Sequence, residues 1–354
     1  MQYHSLTRLL FSRMSQGVIG ILFILVFAGS CRHSTPASKE VPLPKGLSVN
    51  TEKVTAPVPI PYPVTHDVPI RTYFEFMDSL LAHFDSVLNY PLNEHLLVRY
   101  NPWLIDTLAH TDYYYLMEQG IFNEDPQGLL ALRQGEILLI PDSLQSDSLW
   151  RLMDQTSLDI NIPAFQLRIL EGEKVRYTFP IRVGQNKKKY LAMAGRVVDL
   201  RTQTGVGYIW RINKNPVFIN PKNNHRYEVT RRDDGKVTKL PRIPWLDPEL
   251  DGHRFGQLIH PTTNPETLGK AYSNGCIGMR EGDMWRVYYH APIGTRIVFR
   301  YDLEEINAQG DTIRYKNIYP GYEHPRNRAA ILAAAAGVLP AGQDPTMATL
   351  CDCR

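Results

Sequence analysis

Cysteine is scarce in this sequence: 354 residues carry four, at positions 31, 276, 351 and 353. No C-x-x-C faces a second C-x-x-C, so a structural zinc framework has no support. An excess of charge of one sign is missing too, with 39 lysines and arginines against 36 acidic residues and a net charge of +3. That balance gives no argument for a nucleic-acid partner. The short basic runs at 187–189 and 231–232 read as solvated loop or hairpin residues. No segment repeats at a fixed period. What remains is 43% hydrophobic residues in a chain long enough for one large domain or two.

The N-terminus is read apart from the fold. Arg8 and Arg13 precede the apolar run "GVIGILFILVF" at 17–27. The run has the length of a signal-peptide core and is short for a membrane span, which takes about 20 residues. "AGSC" follows and ends at Cys31. This resembles a bacterial lipoprotein signal, which implies a lipidated Cys31 as new N-terminus. An ordinary cleaved signal or an uncleaved anchor is the alternative. Each reading exports the protein. With Cys31 lipidated, three thiols remain, and an odd number points to a free reactive one. Cys351 and Cys353 form a C-x-C, across which a disulfide is strained.

Segment 1–31 is thus a signal peptide and 32–69 a proline-rich tether, with "PVPIPYPV" at its heart. From Tyr73 to Leu88, apolar residues recur at helical spacing, which opens a small, mainly helical domain over 70–150. The run Tyr113-Tyr114-Tyr115 reads as packing surface. From 159 the texture changes to short strand-like runs. "FQLRILEGEKVRYTFPIRVG" is a hairpin around "EGEK", "GVGYIWRI" a strand, and "RYEVTRRDDGKVTKL" a hairpin with Asp-Gly at its turn. A mainly β body over 159–300 is expected, a β-sandwich or partial barrel. Within it "DMWRVYYH" reads as a helix capped by Asp283. Strands around "NAQGD", the helix "RNRAAILAAAAGVL" and a tail fill 301–354.

The stretch "HPTTNPETLGKAYSNGCIGMREGD" carries the chemistry. Cys276 follows Ser273, Asn274 and Gly275, and His260 lies sixteen residues upstream. A thiol becomes a strong nucleophile when an imidazole takes its proton. A glycine before the nucleophile lets the chain turn and bring N–H groups to an oxyanion. The bland alternative is a buried thiol beside a structural histidine.

The same stretch resembles the active-site segment of the L,D-transpeptidase family, the YkuD domain. Its common form is a histidine, about a dozen loop residues, then Ser-His-Gly-Cys, an apolar residue, arginine, and an aspartate shortly after. "TQTGVGYIWRI", "NPVFINP" and "FGQLIH" resemble further segments, so the likeness covers about 159–300. It implies an exported enzyme acting on peptidoglycan stem peptides through a cysteine thioester, without cofactor or metal. Carried over by position, Cys276 is the nucleophile and His260 its base. The Pro261 carbonyl orients the histidine, and Ser273, Asn274 and Gly275 serve the oxyanion or the substrate. Two departures stand out. Asn274 replaces a second histidine and cannot titrate near neutral pH. Gly278 replaces the arginine, and Arg280, two residues on, is the expected substitute on period-2 geometry. The alternatives are an L,D-carboxypeptidase or hydrolase on the same substrates, or an impaired peptidoglycan-binding lipoprotein.

Overall fold

The structure, a computed structural model, describes residues 58–220, 223–307 and 309–321, all within the second of two compact units, Thr55–Arg354. Cys31, the apolar run before it, most of the tether, the expected helix after 325, Cys351 and Cys353 lie outside the described residues. No described helix is long and apolar enough to cross a membrane.

Eight strands form one mixed sheet. They are β1 (Thr156–Asn161), β2 (Gln166–Glu171), β3 (Lys174–Pro180), β4 (Gly205–Asn213), β5 (Trp245–Leu250), β6 (Ile259–Pro261), β7 (Ile277–Met279) and β8 (Arg296–Arg300). The order across the sheet is β7-β6-β5-β4-β8-β1-β2-β3. Neighbours are antiparallel except β8 with β1 and β6 with β7. Alternating Leu158 and Ile160 on β1, and Leu167 and Ile169 on β2, are buried, as a half-buried pleat requires. The β2–β3 hairpin turns at Gly172, whose φ of 62° suits glycine.

The two ends of this sheet meet. Just past β3, Arg182 bridges to Gly278 on β7, the opposite edge strand. The fold is therefore a mainly β, nearly closed sheet, which is the partial-barrel form of the expected architecture.

Among the described residues six α-helices accompany it: α1 (Ile70–Asp85), α2 (Glu94–Tyr100), α3 (Pro102–Ala109), α4 (Tyr113–Glu118), α5 (Ser143–Asp154) and α6 (Glu281–His290). Side chains set their starts. Asn93 accepts the Leu96 N–H at 2.8 Å, and Asp142 and Gln145 form a reciprocal capping box. α1 buries Tyr73, Met77, Leu80 and Phe84, while Val87, beyond its end, is exposed. One hydrophobic cluster contains Met77, Leu97 and Leu104 of the N-terminal helices, Trp285 and Tyr289 of α6, and Ile160, Ile259 and Phe299 of the sheet. Burying side chains of this size stabilises by about 1.5–3 kcal/mol each.

Two expectations need revision. The tether reading runs to residue 69, yet Ile60–Pro63 is a strand paired antiparallel with Ile137–Ile140. Pro61 and Pro63 alternate, so their missing donors fall on one edge and leave the other free to pair. α6 begins at Glu281, with Arg280 at the cap position, not at Asp283. Glu281 accepts the Tyr113 N–H at 3.2 Å, and Asp112, which caps α4, accepts the Gly282 N–H at 2.9 Å. The two helix starts hold each other, and Asp283 is left in the first turn.

Buried polar groups tie α2 to α6. Glu94 accepts from Lys214 Nζ at 2.6 Å, Tyr288 Oη at 2.9 Å and Tyr289 Oη at 3.0 Å. The His95 ring meets Tyr288 at a tilt and Tyr289 edge-on. Burial pushes its pKa down to about 4, and burial with the nearby Arg99 charge pushes His290 to about 3. Unfolded, both imidazoles take up protons below about pH 6.5; folded, they do so only near pH 4 and 3. The unfolded state therefore binds more protons in that window, and stability falls as the pH drops from 6.5 towards 4. The urea midpoint should fall across this range. His290→Gln, which cannot titrate, should make the fall shallower, whereas an equal slope in both proteins would contradict a neutral buried His290.

Candidate active site

The parallel pair β6–β7 brings the histidine and the cysteine together. Ile259 lies in register with Ile277, and His260 with Gly278. Cys276 precedes β7 by one residue, and the Ile277 N–H donates to the Leu258 carbonyl at 2.8 Å. Residues in register share a face, and Cys276 is two positions from Gly278, so the imidazole and the thiol rise from the same side.

His260 Nδ1 lies 2.8 Å from the Pro261 carbonyl oxygen. Only an N–H can donate there, so the neutral ring carries its proton on Nδ1 and presents Nε2 as an acceptor. The Trp245 ring packs against His260 with centroids 5.5 Å apart, and Phe218 meets Trp245 edge-on at 5.1 Å. Burial, then the Arg182 charge, lower the His260 pKa to about 4, against a smaller upward pull from the Pro261 carbonyl.

The turn at Cys276 is held from beneath. Ser273 is buried, and its hydroxyl donates to the Cys276 carbonyl at 2.6 Å and accepts the Gly275 N–H at 3.2 Å. Ser273 therefore shapes the turn, and the Gly275 N–H is already engaged. The Cys276 N–H has no acceptor among the described residues. Thr202 Oγ1 donates to the Gly275 carbonyl at 3.0 Å and accepts the Gly184 N–H at 2.9 Å. Tyr319 Oη donates to the Gly184 carbonyl at 2.6 Å. A Cβ on Gly184 would sit 1.9 Å from the Leu200 carbonyl oxygen, so no other residue fits there. Gly275 has φ 112°, a conformation that L side chains rarely adopt. Asn274 is exposed at the rim, beside the exposed Tyr272.

Arg280 stands at the start of α6 with Glu118 of α4 at 4.0 Å. The arginine that lies over Gly278 is instead Arg182: a Cβ added at 278 would be 2.3 Å from its Nε. Neither Arg182, Thr202 nor Tyr319 was singled out from sequence. Thr202 lies in the quoted strand segment "TQTGVGYIWRI", which was the available signal for it. The bare glycine at 278 marked a space without saying what fills it. Among the described residues no group of three or more histidines, cysteines and acidic residues is arranged to hold a metal ion.

The pair thus rests without charge. Burial raises the Cys276 thiol pKa, and the nearby Asp247 adds to this, while the Leu258 backbone and Arg182 pull it back in part. With His260 pushed down, the resting form is a thiol beside a neutral imidazole, not a preformed ion pair.

His260 and Cys276 thus share one face at the edge of a nearly closed, mainly β sheet. Residues 155–299 match the family model described as the L,D-transpeptidase catalytic domain, YkuD. This segment of the chain belongs to that family. The chain is 26% identical over 275 residues to a probable L,D-transpeptidase ErfK/SrfK of Salmonella typhimurium, covering 73% of this chain and 82% of that protein. It is 25% identical over 163 residues to a putative L,D-transpeptidase YkuD of Bacillus licheniformis, covering 46% and 73%. Among solved structures, an L,D-transpeptidase from Mycobacterium smegmatis is similar at 16% identity with a TM-score of 0.28; the match spans 41% of this chain and 58% of that one.

A neutral resting pair has a measurable signature. Alkylation of Cys276 by iodoacetamide should accelerate with pH up to and beyond the ordinary thiol range of about 8.5. A rate already at its plateau at pH 6 would show a preformed thiolate and contradict this assignment.

Proposed function

We propose that the protein is a peptidoglycan L,D-transpeptidase in which Cys276 is the nucleophile and His260 its general base. The observation that carries the reading is the β6–β7 register. It sets a Pro261-oriented imidazole, with Nε2 free, on the same face as the thiol, inside the segment that matches the family.

In the proposed reaction the carbonyl of the penultimate residue of a stem tetrapeptide sits over Cys276. His260 Nε2 takes the thiol proton as sulfur attacks, and the free Cys276 N–H donates to the developing oxyanion. The C–N bond then breaks, and the imidazolium returns the proton to the departing D-alanine amine. A thioester remains. An amine acceptor, deprotonated by His260, attacks it to give the cross-link and restore the thiol. Because His260 is already neutral at pH 5, the acid limb of activity should lie near pH 4, below the usual imidazole range.

Asn274, exposed and without a titratable group, is a rim contact to substrate in this reading. Gly275 acts through the shape of the turn. We also propose that the protein works outside the cytoplasm and is membrane-anchored through Cys31. The apolar run at 17–27 followed by "AGSC" supports that placement.

The test is incubation of purified protein with disaccharide-tetrapeptide, followed by mass spectrometry beside Cys276→Ala. Dimer formed with loss of D-alanine is the expected outcome, and the variant should be at least about a thousandfold slower. Tripeptide alone would replace the reading with a carboxypeptidase. The absence of any Cys276-dependent product would leave a binding protein.

A further inference from the structure

Arg182 fills the space over Gly278. Its backbone N–H donates to the Gly278 carbonyl at 2.8 Å, and the Gly278 N–H donates back to the Arg182 carbonyl at 3.1 Å. On its other side Gly278 is in register with His260. Arg182, Gly278 and His260 therefore form one row across the seam of the sheet, with their side chains on one face. The middle residue has no side chain, and the arginine lies over it. A Cβ at 278 would meet Nε at 2.3 Å, Cγ at 2.8 Å and Cδ at 3.0 Å. The guanidinium is near enough to both His260 and Cys276 for its charge to act on each.

The guanidinium is underused. Nη1 donates to Thr267 Oγ1 at 3.3 Å, and Nε is buried without an acceptor. No described carboxylate lies within ion-pair distance of it. Three other buried guanidinium groups differ. Arg99 meets Glu171 at 2.7 Å, Arg232 meets Glu281, and Arg300 meets Asp159 at 2.6 Å and Asp302 at 2.7 Å. Burying a cation without a counter-ion is costly. Arg296 also has a buried Nε without a partner, but Arg182 is the arginine that lies over Gly278, in the row that holds His260. An open guanidinium offers a planar fork suited to a carboxylate.

We propose that Arg182 is the substrate-binding residue that receives the terminal carboxylate of the donor peptide at Cys276, and that residue 278 is glycine to admit it. This rests on the function proposed above for the same site. It selects for donors that end in a free carboxylate, the group lost with the departing amino acid. It also removes that role from Arg280, which faces Glu118.

The test separates binding from turnover. In full-length Cys276→Ala protein, a stem tetrapeptide should bind about tenfold more tightly than the same peptide with a C-terminal carboxamide. Adding Arg182→Gln should bring the acid to the level of the amide and leave the amide unchanged. Gly278→Ala, which displaces the guanidinium, should do the same. Equal binding of acid and amide without any change at Arg182 overturns the proposal, as does an equal loss of both in Arg182→Gln. So does the absence of measurable binding of either peptide up to millimolar concentration. In the Cys276 protein, Arg182→Gln should raise KM about tenfold more than it lowers kcat. If wild-type protein shows no turnover, the reading of the reaction fails, and the acid-to-amide comparison still decides Arg182.

Discussion

Two hydrogen bonds between Arg182 and Gly278 join the segment leaving β3 to β7, at the other edge of an eight-stranded sheet. This seam is what the site depends on. It closes the sheet, sets the register of β7 against the returning chain, and holds Gly278 level with His260 on β6. The segment that follows, Val183–Gly184, then runs parallel to Ala271–Ser273 and reaches Thr202 and Tyr319. The Ser273–Cys276 turn is thus built on the same closure. A side chain at 278 would displace the Arg182 side chain over it, so the same residue that closes the sheet through its backbone also sets where that charge lies.

The helices reach the site through polar contacts. Tyr114 Oη lies 2.6 Å from Asp233 in the hairpin turn and 2.8 Å from the carbonyl of Thr263, in the loop after His260. Tyr113 Oη donates to Asp234 at 2.7 Å, and Arg232 lies over the Tyr113 ring while pairing with Glu281. α4 therefore braces both the hairpin and the loop that joins His260 to Cys276. α6, with Trp285, Tyr288 and Tyr289 fully buried, carries that bracing into the core. Electrostatically the half-buried pair lies within reach of the Arg182 charge, and Asp247 also acts on the thiol. Burial dominates the shifts of both His260 and Cys276, and Arg182 acts on each in the direction expected of a nearby positive charge.

Much of this was legible in the sequence. The hairpins around "EGEK" and Asp-Gly, the α1 apolar face and the mainly β body all follow from local periodicity and turn residues, which depend on neighbours only a few positions away. His260 and Cys276 were legible because a spaced motif brings them into one short stretch. Arg182 was not, because it lies 94 positions before Cys276 and reaches it only through sheet closure. Tyr319 was hidden for the same reason, and Ser273 looked like a substrate contact until its hydroxyl was seen tied into the turn.

The sequence by itself marked the residues on which the proposed chemistry rests: a thiol after a glycine, a histidine upstream, and a glycine where a long side chain was to be expected. Those are properties of residue type and short spacing. The tertiary structure decided which charge stands beside the thiol. It also decided which tautomer the histidine adopts and which N–H remains free for an oxyanion. Each of these depends on what a distant segment brings to within a few ångströms. Hydrogen bonding and desolvation act across that distance in space, whatever the separation along the chain.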